Sequence, residues 1–379
     1  MRVCIDIQSA VGSRAGVGRY TKLLAEHLIP LREQNELSLF HFDFQRRGLP
    51  SFNAADATIR ACRWIPGRYV QKAWKAIGWP PYTWFAGEAD VYHFPNFIRP
   101  PLPRGASVVT IHDVAFLRYP ETIEEKNLVY LRSQINQTVR RATAIITVSQ
   151  FTAREVRELL GVPEEKLHAI PSGLDPTLRS PTPEAILALR QRLRLTRPYL
   201  LSVGTIEPRK NFPFLVEVFD HLDKFDGDLV IAGRKGWKFE SLLERIARSP
   251  RRDRIHLVED LPESDLPALY GGAELFLLAS LYEGFGFPPL EAMACGTPAL
   301  VTPGGSLEEI CGGGGIVLPD GDTARWVHEI TALLQAPGAR DELRRRGAEH
   351  AKRFSWVETA RKTWDVYAVA HQLHRARTH

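Results

Sequence analysis

The sequence predicts an α/β protein made of two doubly wound parallel sheets. Three observations lead there. The chain has 379 residues, more than one hydrophobic core usually fills, so two domains are expected. Short apolar runs alternate with longer amphipathic patterns through both halves, as repeated strand–helix units do. These runs also lack clean period-two alternation, as expected of parallel strands covered on both faces.

In chain order, "RVCIDI", "DVYHF", "SVVTIHDV", "AIITVS" and "KLHAIP" read as strands of the first half. "YLLSVG", "DLVIAG", "RIHLVED", "ELFLLAS" and "PALVT" read as strands of the second. Helical patterns lie between them: "RYTKLLAEHL", "SQFTAREVRELLG", "NFPFLVEVFDHL", "FESLLERIA" and "PLEAMACG". The Pro- and Ser-rich stretch from Pro171 to Glu184 is the expected linker. The segment from "FSWVETARK" onward reads as one long terminal helix. These readings divide the chain into residues 1–178, residues 179–355 and a closing helix over 356–379. Ligands bind open α/β sheets at the carboxyl ends of their strands. Chemistry-bearing residues are therefore sought just after strands, in a cleft between the two domains.

Composition excludes several classes. Apolar residues make up 44% and charged residues 25%, the balance of a soluble globular chain. The net charge of +5 is too mild to argue for nucleic acid. It is unevenly placed: residues 1–180 carry 23 Lys/Arg against 17 Asp/Glu, and the rest 26 against 27. An acidic partner surface would meet the first half. The four cysteines have no zinc-ligand or redox spacing, which fits a reducing compartment. The apolar run of "MRVCIDIQSA" is too short for a signal peptide, and no run approaches a membrane span. A cytoplasmic protein, peripheral at most to the inner face of a membrane, is expected.

The stretch "SLYEGFGFPPLEAMACGTPALVT" carries the strongest signal. Glu283 and Glu291 are separated by seven residues, with glycines and a Pro-Pro pair between. A helix is expected to start near Pro289 and to end at Gly296. That places Glu283 in a strand-to-helix turn and Glu291 in the first helical turn. Gly284 and Gly286 let backbone N–H groups approach a ligand, and the helix N-terminus favours a phosphate. A carboxylate in the helix can accept hydrogen bonds from ribose hydroxyls. As a bare pattern the same residues also fit a turn and a dipole partner.

A second signal lies in "LLSVGTIEPRKNFPFLVEVF". Arg209 and Lys210 follow a strand, and Asn211 is placed to cap the next helix. Adjacent cations there suit a diphosphate, Arg as a fork of donors and Lys as a point charge. A solvated surface pair is the alternative. Glu207 in the same loop is a candidate to orient Arg209.

Together "YEGFGFPPLEAMACGTPALVT" and "VGTIEPRKN" resemble the signatures of retaining glycosyltransferases of family 4, which have the GT-B architecture of two Rossmann-like domains facing a cleft. The resemblance spans nearly the whole chain, most closely from about Leu200 to Pro319. It implies that Glu283 approaches the donor sugar and that Glu291 binds the nucleotide ribose. It also implies that the amides of Gly284, Phe285, Gly286 and Phe287 meet the sugar and phosphates, and that Arg209 and Lys210 clamp the diphosphate. The closing helix is expected to return to the first domain.

Gly16 and Gly18, in "AGVGRY", precede a helix. Thr21 stands where a dinucleotide fingerprint needs its third glycine, so this is not that motif. The resemblance supports both glycines as donor-site residues, with Arg19 and Tyr20 directed elsewhere. His112 and Asp113 close the run "SVVTIHDV". A histidine at a strand's carboxyl end can bond a sugar hydroxyl or steady developing charge. The family commonly has a functional histidine there, so His112 is a catalytic candidate with Asp113 to orient it. His93 and Asn96 are weaker candidates of the same kind. Ser149 is expected to cap a helix, and Asp175 to serve the hinge or the structure.

"DGD" occurs at 226–228 and 320–322. Asp-Gly is foremost a turn dipeptide, so both are read as turns and no metal or other cofactor is expected. Residues 44–84 hold seven Lys/Arg, one acidic residue and four interleaved tryptophans. There Tyr69, Val70, Ala73, Trp74 and Ile77 share a helical face. Such a helix lies either on an anionic bilayer or, more commonly, against the core.

The expected function is transfer of a hexose from a nucleotide diphosphate sugar to a glycan or lipid-linked acceptor, in cell-envelope polysaccharide synthesis. GDP-mannose is the preferred donor, because the "GVGRYT", "YHFPN" and "HD" set looks most like bacterial mannosyltransferases. A UDP-glucose-type enzyme and a nucleotide-sugar epimerase of the same fold are the alternatives.

Overall fold

The computed structural model describes residues 1–12, 16–48 and 57–378. The chain divides into two compact units. One comprises Met1–Leu117, Glu125–Gly173 and Ser355–His379; the other comprises Arg118–Glu124 and Leu174–Phe354.

The first unit carries a parallel sheet of β1 (Arg2–Asp6), β2 (Glu36–Phe42), β3 (Thr58–Cys62), β4 (Val91–Phe94), β5 (Ala106–Ile111), β6 (Ala144–Thr147) and β7 (Leu167–Ala169). Their order is β3-β2-β1-β4-β5-β6-β7. β4, β5 and β6 are buried at every position, which is why their sequences, His93 apart, are apolar or small rather than alternating. β2 and β3 are additions to the strands read from sequence. β3 is exposed along most of its length, as the edge strand it is. The helix Gln150–Leu160 starts where Ser149 accepts a hydrogen bond from the Thr152 amide, the cap expected of it.

The closing helix Trp356–Thr378 belongs to this unit. It lies on the helix Val17–Leu28, where the Trp364 indole donates to the Leu28 carbonyl at 3.2 Å. From the same helix, Tyr367 bonds His93 at 2.7 Å.

The second unit carries β8 (Tyr199–Val203), β9 (Asp228–Ala232), β10 (Ile255–Val258), β11 (Leu275–Leu278), β12 (Ala299–Val301) and β13 (Ile316–Val317). This sheet is also parallel, in the order β10-β9-β8-β11-β12-β13. Leu215, Phe219, Leu229, Leu277, Trp326 and Ile330 join its core. The chain runs from β8 outward to β10 and then returns to the other side of β8 with β11. The crevice at the carboxyl ends of β8 and β11 is thus the switch point where open α/β sheets bind ligands.

Candidate active site

Three loops meet at that switch point. Residues 204–211 follow β8, residues 279–286 follow β11 and residues 302–306 follow β12. Arg209 and Lys210 lie in a short 3₁₀ turn, Pro208–Lys210. Asn211 adopts a left-handed conformation at φ 52° and gives the next helix no side-chain cap. The capping role expected of it therefore fails, because its amide reaches Asp320 at 3.4 Å instead.

The Glu283 side chain joins these loops. Its two oxygens accept from the Lys210 ammonium, from Arg209 Nη1 at 3.0 Å and from Ser280 Oγ at 2.7 Å. Arg209 also donates through Nη2 to Glu207 at 2.6 Å and through Nη1 to the Tyr282 carbonyl. Glu207 orients Arg209 as the sequence suggested. Glu207, Lys210 and Glu283 are all buried. Burial raises the Glu283 carboxyl, but Lys210 and Arg209 outweigh it and hold the group down at about 2. It is an anion throughout the physiological range.

The backbone of this turn is fixed from behind. Ser306 donates from its amide to the Glu283 carbonyl at 2.9 Å, and from Oγ to the Glu283 and Phe285 carbonyls at 3.1 and 3.0 Å. Gly305 adopts φ +70°, and a Cβ on it would stand 2.2 Å from the Glu283 carbonyl oxygen. Only glycine permits so close an approach. Gly286, at φ +99°, heads the helix Phe287–Ala294. The helix begins two residues earlier than Pro289, because Pro288 and Pro289 both fit its first turn. Glu291 therefore lies beyond the first turn, a correction to its expected place. It is buried and accepts from the Tyr270 hydroxyl at 2.7 Å. The Phe285 and Phe287 rings pack together at 4.8 Å, so these residues turn their side chains to each other.

Sequence reasoning passed over Ser280, Tyr270 and Ser306 as site residues. Tyr270 and Ser306 reach a glutamate from more than twenty residues away, and Ser280 bonds Glu283 across a local turn.

In the first unit, Gly16 (φ +57°) precedes the helix Val17–Leu28, whose second residue is Gly18. Tyr20 of this helix sets its ring edge-on to His112 at 4.7 Å. Tyr20 is buried, in keeping with a side chain directed away from a ligand. His112 Nε2 lies 2.8 Å from the Pro95 carbonyl. A carbonyl only accepts, so the proton sits on Nε2 and Nδ1 keeps its lone pair. Burial lowers the imidazole's pKa, against the opposing pull of the Pro95 bond and Asp113. The ring is neutral at pH 7. Asp113 does not bond the ring as expected; its Oδ1 accepts from the Ala115 amide at 3.1 Å, a local turn that wins by proximity.

His93 is fully buried between Tyr367 and Thr110, at 2.7 and 2.8 Å. Burial brings its pKa down to about 3. It is a satisfied core histidine.

The "DGD" aspartates make structural contacts, and Asp228 is buried at the start of β9 rather than in a turn. Asp226 pairs with Arg254 at 2.7 Å, Asp228 lies 3.1 Å from His256, and Asp322 caps the helix Thr323–Gln335. Among the described residues no helix is long and apolar enough to cross a membrane.

Two parallel-sheet Rossmann-like units, with paired cations and two buried glutamates at the switch point of the second, define the GT-B class of glycosyltransferases. Residues 188–353 match the model of glycosyl transferases group 1, and residues 14–178 that of glycosyltransferase family 4. The chain is 30% identical to the O-antigen chain mannosyltransferase B of Escherichia coli, over 93% of this chain and 96% of that protein. The chain belongs to this glycosyltransferase family. Its fold is shared with sucrose-phosphate synthase from Thermosynechococcus elongatus (TM-score 0.76, 19% identity, 99% of this chain and 100% of that one). It is shared also with Anabaena Alr3699/HepE, solved in complex with UDP-glucose (TM-score 0.73, 19% identity, 97% of this chain and 100% of that one).

Proposed function

We propose that the protein is a retaining, metal-independent hexosyltransferase that moves mannose from GDP-mannose to a glycan or lipid-linked acceptor hydroxyl at the inner face of a membrane. The observation that carries this reading is the bonding of Glu283 to both Lys210 and Arg209. One carboxylate and two cations lie where a sugar diphosphate needs both. The mannosyltransferase relative, matched along almost its whole length, supports the choice of donor and a place in cell-envelope polysaccharide synthesis.

Each residue then has a part. Glu291 binds the ribose hydroxyls, held in place by Tyr270. The amides of Gly284, Phe285, Gly286 and Phe287 meet the sugar and phosphates. Arg209 and Lys210 neutralise the diphosphate as it leaves, the work a divalent cation would otherwise do. Glu283 lies beside the sugar, where positive charge develops. Gly16 and Gly18 of the first unit give the diphosphate a close backbone approach. His112 offers a neutral Nδ1 acceptor to a sugar hydroxyl. The sugar C1–phosphate oxygen bond breaks as the acceptor oxygen attacks the same face. The acceptor's proton passes to the departing phosphate oxygen. No enzyme nucleophile is needed, and the anomeric configuration is kept.

Thermal unfolding with a panel of nucleotide sugars tests the donor, because a ligand that binds the native state raises apparent stability. GDP-mannose should give the largest shift, and Arg209→Ala should cost on the order of 1–3 kcal/mol of binding. Transfer should survive excess EDTA. A larger shift with UDP-glucose would reassign the donor, and activity abolished by chelation and restored by Mg²⁺ would end the metal-independent reading.

A further inference from the structure

The helix Gly67–Ile77 and the turn after it leave an apolar, aromatic surface uncovered. Of the eleven helical residues only Val70 is buried. Tyr69 and Ile77, on the face expected to meet the core, are 51% and 70% exposed. Trp64, Trp79 and Trp84 are 68%, 52% and 62% exposed. These rings are assembled rather than scattered. Trp79 packs edge-on to Trp84 at 5.0 Å, and Trp64 stacks at 5.4 Å on Phe85, the next residue along. Isolated exposed apolar residues need no explanation, but a cluster of this kind marks an interaction site.

Charge identifies the occupant. Between Ala57 and Gly87 there are five Lys/Arg and no Asp or Glu. Arg68, Lys72 and Lys75 lie on the same exposed helix as Tyr69 and Ile77. Protein interfaces are depleted in lysine at their centre. An anionic lipid surface takes both features at once: basic groups meet phosphates while tryptophan and isoleucine enter the headgroup boundary.

We infer that the surface formed by Trp64, the helix Gly67–Ile77, Trp79 and Trp84 docks the protein on an anionic lipid bilayer. This deepens the membrane setting proposed above and is independent of the transfer chemistry.

The full chain should sediment with vesicles of phosphatidylcholine and phosphatidylglycerol, and stay in solution with phosphatidylcholine alone. Added salt should release it. Two double variants separate the contributions: Ile77→Ser with Trp84→Ser, and Arg68→Glu with Lys72→Glu. Each should weaken vesicle binding at least about tenfold, while unfolding temperature and the donor-induced shift in it stay unchanged. Equal binding to both vesicle types overturns the inference, as does binding to neither. Dimers in light scattering that the first double variant turns into monomers would assign the surface to a second copy of the chain. Loss of the donor shift with vesicle binding intact would instead count against the transferase reading alone.

Discussion

Asp6 and Glu283 are both carboxylates at the carboxyl ends of parallel strands, one in each unit, and their surroundings differ in kind. Asp6 ends β1, half-buried, and accepts from the Gln8 amide at 2.9 Å and the Tyr82 hydroxyl at 3.0 Å. Burial outweighs these bonds and pushes its carboxyl up to about 6. Glu283 follows β11 and meets a lysine and an arginine, which bring it down to about 2. One topology thus supports two electrostatic regimes. Two histidines near strand ends of the first unit, His93 and His112, are kept neutral by burial. The second keeps a permanent anion against two cations. The difference teaches that the shared architecture sets where chemistry happens, while the residues after each strand set its sign.

The comparison breaks most visibly at Glu283. Glu283→Gln should lower kcat about 10²–10³-fold, the loss usual for an electrostatic contact made chiefly in the transition state. Free nucleoside diphosphate should bind this variant at least as tightly as the wild type, because Lys210 and Arg209 lose an internal counter-ion. Steady-state kinetics with nucleotide titration decide it. An unchanged kcat with weaker nucleotide binding would make Glu283 a support for the cations rather than a partner of the sugar.

Stability against pH sharpens the contrast, because the two groups act in opposite directions. Glu283 is depressed from 4.5 to about 2, so its contribution is present above about 4.5 and is lost as pH falls towards 2. Asp6 is raised from 3.8 to about 6, so its contribution is complete below about 3.8 and is lost as pH rises through 6. Each amounts to roughly 3 kcal/mol. Denaturant titrations from pH 2 to 8 should show a flattened acid limb in Glu283→Gln and a flattened loss between about pH 4 and 6 in Asp6→Asn. Parallel curves for both variants would erase the distinction.

Tyr270→Phe probes the smallest difference. Removing its hydroxyl takes one hydrogen-bond donor from the Glu291 carboxylate, a loss on the order of 1–3 kcal/mol in the bond itself. Donor KM should rise about fivefold with kcat nearly constant, since ribose contact is equal in ground and transition states. A fall in kcat alone would refute the ribose assignment.

The sequence revealed the two parallel sheets because their buried strands are apolar or small at nearly every position. β3 escaped because it is a short exposed edge whose residues meet few burial constraints; β2, buried at most positions, and the two-residue β13 were also missed. The paired glutamates and the cation pair were readable as motifs, each confined to one short stretch of chain. That Lys210 and Arg209 bond Glu283 was not, since the partners lie more than seventy residues apart and only strand order makes them neighbours. Ser280 was read only as the end of a strand, and its bond to Glu283 three residues on is a local turn contact that no motif announces. Asn211 and Asp113 were misplaced for a local reason. Both are short polar side chains for which two nearby partners compete, and sequence does not rank them.

The ion network after β8 and β11 bears on how fast a donor arrives. Arg209 and Lys210 stand against Glu207 and Glu283, so the charges of this cluster cancel and project little field into solution. Unlike bare cations, this cluster adds little to any long-range pull on a negatively charged nucleotide sugar. Glu207→Gln should therefore make donor capture faster and more sensitive to ionic strength. Discrimination then falls to the moment of contact, when the phosphates compete with the glutamates for the same two side chains. An abundant inorganic anion gains no advantage in that contest unless it also offers a sugar and a ribose.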